Sequence, residues 1–465
     1  MDTASPGAHT LHRTLGPLEI MFLTFSALSP AMSVFIYGDG IFHMAGSGTA
    51  AAVLIGGVIA ALAAYLYAEL GAAFPQAGGV YPKLVGVLGP FWAFPYITMM
   101  MVLAPTLVAF SLLGFADYVR VLAPGLPELP VAVGCAVLAC GVAVLRIRTG
   151  AIITGLFLVL EFAALIALTW VAVTHPARGL SAVLLHSQTL DHQSLRPLPA
   201  ATLGLAVVTG VFTCSGGSWA MYFGEELKDA PRRIGGLIAG IGQIAALIIA
   251  LPLVLVVLSA PDLKQILAAD SPVAAYMARV GGPGLAAVMS AGLVIAIFNA
   301  IVVTIMGYAR FYYATGRDGV WPGPVNRALR HIHPATHSPV AATLILVLCA
   351  CGLMGLGEQP LLILSSGENI VEYLLMAAAL LVGRRLARTG ATFRAPWHPL
   401  FPLMGLAVTA AMAVAEWMDP AAGRPSLFIL TGLCVASLAY HRLRMGRPKA
   451  TWARPADAAA GADLG

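Results

Sequence analysis

Three sets of residues in this chain are of types, and at spacings, that could do chemistry, and all three sit in apolar surroundings. Residues 24–35 read TFSALSPAMSVF, with Ser29, Pro30 and Ser33 inside a hydrophobic run. Residues 207–226 read VVTGVFTCSGGSWAMYFGEE, where Cys214, Ser215, Gly216, Gly217 and Ser218 interrupt a second run with residue types that favour unwinding. Glu161 stands alone in a third run, ITGLFLVLEFAALIAL. Proline removes a backbone donor and breaks a helix. A broken helix presents free N–H groups at the start of its second half and free carbonyls at the end of its first. The amides can hold an anionic group such as a carboxylate, and the carbonyls an ammonium or a cation. That is the chemistry of binding a small ligand that carries both charges.

Bond-making chemistry lacks its parts in this sequence. His186 and His192 share one loop with Asp191, and His331 and His333 share another, but neither group has a zinc-type companion set on a helix. There is no nucleophile elbow, phosphate-cradling loop or pair of catalytic carboxylates, and GGPG at 281–284 has no strand and helix around it to make a nucleotide fingerprint. The chain is therefore read as no enzyme, with no cofactor and no metal. A carrier and a nutrient sensor that binds ligand without net flux remain as the two classes.

The elements that position these residues follow from composition. Of 465 residues 59% are hydrophobic and 10% charged, and the mean hydropathy is +0.87, more apolar surface than a soluble protein of this size could hide. Windows of about 20 apolar residues recur at 18–43, 48–73, 91–119, 129–145, 150–174, 201–223, 234–259, 284–313, 339–357, 361–383, 397–418 and 426–441. The expected fold is all-α, a polytopic membrane protein with 12 transmembrane helices. Residues 1–17 form a polar tail without a signal-peptide pattern. The cysteines, Cys135, Cys140, Cys214, Cys349, Cys351 and Cys434, have neither metal-ligand nor paired extracellular spacing and read as small packing residues.

With an inner N-terminus, 20 of the 26 Lys and Arg fall in inner segments, and only Arg120, Arg178, Arg196, Lys264, Arg279 and Arg424 in outer ones. Positive charge belongs on the cytoplasmic side, so both termini should face the cytoplasm from the plasma (inner) membrane. The net charge of +5 is then a signal of topology in a lipid bilayer and no sign of a nucleic-acid partner.

One interrupted helix more often marks a kink or close packing. If the first ten spans divide as five plus five, however, the two breaks open the two halves, and matched breaks point to a transporter's midplane site.

Three stretches carry a family resemblance. YAELGAAFPQAGGVYPKLVGVLGP (67–90), FTCSGGSWAMYFGEELKDAPRRI (212–234) and RFYYATGRDGVWP (310–322) lie in the order and spacing that resemble amino acid-polyamine-organocation transporters. The resemblance spans residues 18–390 and implies a LeuT-like fold of two inverted repeats, 18–174 and 201–386, with two further helices in 397–445 and a cytoplasmic tail at 446–465. It also implies alternating access. Carried over, Ser29, Ala31, Met32 and Ser33 would hold a substrate carboxylate, and Phe212, Cys214 and Ser215, with Gly216 beside them, its amine. The first break reads SPAMS where the family usually has glycine-serine-glycine. Gly217 and Ser218 stand where an aromatic gate and an acid often follow, so the pocket should be wider, with Trp219 the only nearby aromatic able to close it.

Acids within the membrane are costly and mark function. By the same resemblance Glu161 falls where many relatives carry a lysine that touches the first-span break and stands in for a coupling cation, and a carboxylate there departs from the pattern. It is expected to carry proton coupling, the other readings being a partner for a cationic substrate or a neutral acid that only hydrogen-bonds. Asn299, in IAIFNAIVV, either hydrogen-bonds substrate or Glu161 or is a helix-packing amide. Glu368, Asn369 and Glu372 lie near a span end, where solvated acids are the expectation and a gate the alternative. Glu69, Glu225, Glu226, Arg317 and Asp318 are expected to form a cytoplasmic ion-pair gate. The functional expectation is a secondary active transporter of a small amino acid or organic amine, by proton symport, with exchange as the alternative. Sodium is less expected, because no serine or threonine pair accompanies Asn299.

Overall fold

The computed structural model describes residues 11–445 except 124, 192–193, 270, 366 and 391. The predicted tail 446–465, residues 1–10 of the N-terminal tail and His192 lie outside the described residues.

Among the described residues, nine helical runs are long and apolar enough to cross a membrane, and two further apolar helices are shorter. The first run, Pro17–Ala73, is 57 residues long, more than twice the roughly 20 that one crossing needs. It holds α1 (Pro17–Leu28), a single turn Pro30–Met32, a π turn Ser33–Tyr37, α2 (Gly38–Ala45) and, after a 3-10 turn, α3 (Thr49–Ala73). The short α4 (Tyr81–Leu88) leads into α5 (Pro90–Leu122), α6 (Glu128–Ala143) and α7 (Ile147–Thr174). Next come α8 (Ala200–Cys214), a 3-10 stretch Gly217–Glu226, α9 (Ala230–Ser259) and α10 (Pro283–Arg317). The chain continues through α11 (Val340–Leu353), α12 (Glu368–Arg385), α13 (Leu400–Met418) and α14 (Gly423–Tyr440). One element departs from the all-helical expectation: an antiparallel hairpin of β1 (Gln188–Asp191) and β2 (Ser194–Pro197) in the loop between α7 and α8.

α3 is the central post, with α8 and α9 packed along it. Small residues let them approach: a Cβ on Gly56 would lie 2.6 Å from the backbone carbonyl carbon of Gly210, and one on Gly210 would lie 2.8 Å from the Ala52 carbonyl oxygen. Between helices already surrounded by lipid, such close backbone packing replaces the missing hydrophobic drive. The outer faces remain apolar. Leu156, Ile166 and Trp170 of α7 are exposed, as suits a surface whose solvent is hydrocarbon.

Candidate functional site

α1 stops at Leu28 because Ser29 adopts left-handed backbone, φ 44° and ψ 85°, a conformation that costs of order 1 kcal/mol for a residue with a side chain. Pro30 follows with no N–H to give. Local hydroxyls repair the break: Ser29 Oγ accepts from the Met32 N–H at 3.4 Å, and Ser33 Oγ donates to the Leu28 carbonyl at 3.4 Å. A carbonyl freed in hydrocarbon has no water to turn to, so a donor from the chain must serve.

The remaining polar groups of the break are met by Glu161 of α7. Ser29 Oγ donates to its Oε2 at 3.0 Å and Asn299 Nδ2 of α10 to its Oε1 at 2.9 Å. All of this is closed off: Ser29, Glu161 and Asn299 are buried. Of the two sequence readings of Asn299, the structure places it on Glu161, and its Oδ1 has no hydrogen-bond partner among the described residues.

The second break is open. α8 ends at Cys214, Ser215 is extended, and the chain resumes at Gly217 as a 3-10 stretch where an α-helical second half was expected. A cavity of about 90 Å³ lies beside it, walled by Phe212, Ser215, Gly216, Gly217, Ser218 and Trp219. Tyr67 of α3 and Asn369, Glu372 and Tyr373 of α12 form the opposite wall. The structure thus brings Phe212, Ser215, Gly216, Ser218 and Trp219 together on one cavity, and leaves Ser29, Ala31, Met32, Ser33, Cys214 and Asn299 off its wall. Cys214 is buried, with its sulfur toward Gly57 of α3.

Two expectations about this region need correction. Glu368, Asn369 and Glu372 do not stand free at a span end: all three are half-buried, and Asn369 and Glu372 face the cavity. α12 starts beside the cavity, so its first turn points there. Tyr96 Oη donates to Glu372 Oε2 at 3.2 Å, and Tyr373 Oη lies 3.1 Å from Ser215 Oγ. Trp219 is also not the sole aromatic at the pocket, since Tyr67, Phe212 and Tyr373 line it too. Its ring packs 5.1 Å from Tyr222 and 5.3 Å from Tyr308, an aromatic shelf assembled from two segments too far apart in sequence to be read as one.

The expected inner gate resolves into three separate ion-pair groups rather than one network. Glu226 meets Arg310 in a two-pronged pair, Nε to Oε2 at 2.5 Å and Nη2 to Oε1 at 2.8 Å. Glu69 is held by Arg384 at 2.8 and 2.5 Å and by the Ala395 N–H at 2.8 Å. Arg317 pairs with Glu225 and with Asp318, whose other oxygen accepts from Tyr81 Oη at 2.6 Å. Arg310, Arg384 and Tyr81 escaped the sequence reading because Arg310 and Arg384 lie 84 and 315 residues from their partners. No local spacing could signal them.

Lys83 of α4, counted among the inner positive charges, is buried, and its Nζ donates to the Gln76 carbonyl at 2.8 Å. Burial holds its ammonium at about 7, down from the ordinary 10.5, with Glu225 pulling upward and Arg317 downward. Between those values the unfolded chain binds a proton that the folded one does not, so stability rises with pH across that window and is lower by a constant amount below pH 7. Lys83→Met is expected to raise Tm in detergent at pH 7 and to flatten the rise from pH 7 to 10. An unchanged slope would mean that Lys83 stays charged in the fold.

Comparison with known proteins agrees with this architecture. Residues 15–438 match the family described as amino acid permease. The chain is 25% identical over 433 residues to the methylthioribose transporter of Bacillus subtilis (strain 168), covering 87% of this chain and 89% of that relative. It is 23% identical over 439 residues to the branched-chain amino acid permease BcaP of the same organism, covering 87% and 88%. It is also 23% identical over 374 residues to the human Asc-type amino acid transporter 1, covering 75% and 66%.

Proposed function

The chain belongs to the amino acid permease family, and on that premise we propose that it is a secondary carrier moving a small amino acid or related organic amine by alternating access, coupled to protons. It is an integral membrane transporter and not an enzyme. In this reading it crosses the membrane twelve times, with 18–174 and 201–386 as LeuT-like inverted repeats, 397–445 as a further pair, and both termini on the cytoplasmic side of the plasma (inner) membrane. The asymmetry of its Lys and Arg supports that orientation.

The observation that carries the coupling is Glu161 bonded to Ser29 in the first break, whose Leu28 packs against Gly216 on the wall of the cavity at the second. As a carboxylate, Glu161 accepts from Ser29 and Asn299. Once protonated, it has less need of those donors and becomes a donor itself. The Ser29 hydroxyl, beside the Ala31, Met32 and Ser33 backbone, is then available to a substrate carboxylate, while the substrate's ammonium faces the carbonyl end of α8 near Phe212, Cys214 and Ser215. Loss of the proton on the other side restores the original bonds and expels the substrate. Glu69, Glu225, Glu226, Arg317 and Asp318, with Arg310 and Arg384, hold the inner side shut and must part when the cavity opens there. Glu372 on the cavity wall favours one second reading, exchange of organic amines, because an acid there offers a counter-charge to an ammonium.

Purified protein in liposomes is expected to accumulate at least one neutral amino acid or amine, saturably and without ATP, when the lumen is made alkaline. The panel includes branched-chain amino acids and methylthioribose. Counterflow that ignores the pH gradient would establish an exchanger instead, and a ligand-induced rise in Tm without flux would establish a sensor.

A further inference from the structure

A second cavity, of about 480 Å³, opens at the end of the bundle where α1 and α7 begin, and its wall is strongly basic. Arg13, Arg146, Arg148 and Lys228 line it together with His12 and His337. Among the described residues the only acid on the wall is Glu226, and it is already taken by both prongs of Arg310. Glu19 stands next to the wall, 3.8 Å from Arg148 Nε, and one of its oxygens accepts from the Gly16 N–H. Scattered Lys and Arg on this face are what membrane topology demands. Convergence of four of them on one concave site is a further fact that topology does not require.

The wall comes from four separate stretches: the segment before α1, the turn between α6 and α7, the loop after the 3-10 stretch Gly217–Glu226, and the loop before α11. They are already tied to one another. Leu15 N–H donates to the Glu226 carbonyl at 2.8 Å, and Lys228 N–H to the Leu15 carbonyl at 2.9 Å. Arg146 Nε donates to the Ala335 carbonyl at 3.1 Å, and the His12 and His337 rings lie 4.4 Å apart. Arg146 caps α7 without a side-chain acceptor, so the positive end of that helix adds to the field in the cleft. Arginines and a lysine around a helix start are the partners that a phosphate group selects.

We propose that this cleft binds a phosphate-bearing anion, supplied by an anionic lipid headgroup or by soluble phosphate, and that its occupancy clamps the four stretches together. The site is separate from the transport cavity at the second break, and no part of the proposal depends on which substrate the carrier moves.

The test is thermal unfolding of the full-length protein in nanodiscs of phosphatidylcholine alone or with phosphatidylglycerol, and in neutral detergent with inorganic phosphate against chloride at matched ionic strength. Three forms are compared: wild type, the cleft triple Arg13→Gln/Arg148→Gln/Lys228→Gln, and a control triple, Arg232→Gln/Arg385→Gln/Arg394→Gln, that removes the same charge elsewhere. Tm is expected to rise by several degrees in the wild type and the control triple, and not in the cleft triple. A rise with phosphatidylglycerol alone assigns the headgroup as source, and an equal rise with phosphate assigns the soluble anion. No rise in the wild type, or an equal rise in the cleft triple, overturns the site. Should the cleft triple fail to fold, Lys228→Gln alone takes its place, and native mass spectrometry of the phosphatidylglycerol retained by wild type and variant separates the same outcomes.

Discussion

Arg310→Met is expected to destabilise the protein by about 3–5 kcal/mol, the usual consequence of removing one partner from a buried ion pair. Both side chains of the Arg310–Glu226 pair are 1% exposed, so the change leaves a buried carboxylate without its two-pronged partner. Met306 loses a donor to its carbonyl, and the Phe223 ring loses the guanidinium 5.1 Å above it. The loss should appear as a fall in monodisperse yield and in Tm in mild detergent. Arg310→Met/Glu226→Leu is expected to recover most of it, because an apolar pair of similar volume can match a buried ion pair in stability. The exposed Arg233–Asp229 pair, at 4.0 Å and about half solvent-accessible, offers the contrast: Asp229→Asn should shift stability by roughly 1 kcal/mol or less. A single Arg310 variant as stable as the wild type would show that the pair does not hold the inner end together.

Glu161→Gln is expected to abolish the response of uptake to a pH gradient while leaving counterflow. One coupled proton is worth about a tenfold accumulation per pH unit, and the variant should lose that factor. The glutamine still accepts from Ser29 or Asn299, but its amide now faces a donor, so a fall in stability of about 1 kcal/mol should accompany the lost coupling. The two effects separate in the same preparation. A variant that folds, exchanges substrate and still accumulates it with an alkaline lumen would remove Glu161 from the coupling mechanism. Asn299→Ala supplies a check on geometry, since it withdraws one donor from the carboxyl without removing the titrating group. It should alter the pH at which coupling operates more than its extent.

Much of the site was legible because membrane chemistry is strict. A Ser-Pro pair or a Ser-Gly-Gly run inside an apolar helix has few uses, and Glu161 could not stand alone in hydrocarbon without a partner. What the reading could not supply was the protein's own partner for the first break. Nothing in TFSALSPAMSVF discloses that Glu161, 132 residues away, supplies the acceptor. Nor does SSGENIVEYLL disclose that its acids face a cavity, because a helix that starts beside a cavity and one that starts in water are written in the same residues.

By itself, then, the sequence determined what any membrane-embedded chain must declare locally: an all-helical body, the two places where helices break, and the face that gathers positive charge. Each is fixed by the cost of an unmet polar group in lipid, which is settled within a few residues of chain. The tertiary structure alone decided the partners. It put Arg310 on Glu226, Arg384 on Glu69, Glu161 in the first break and Glu372 on the cavity wall. Such pairings depend on which helices the packing of α3, α8 and α9 brings into contact, and that is decided by the shapes of surfaces hundreds of residues apart.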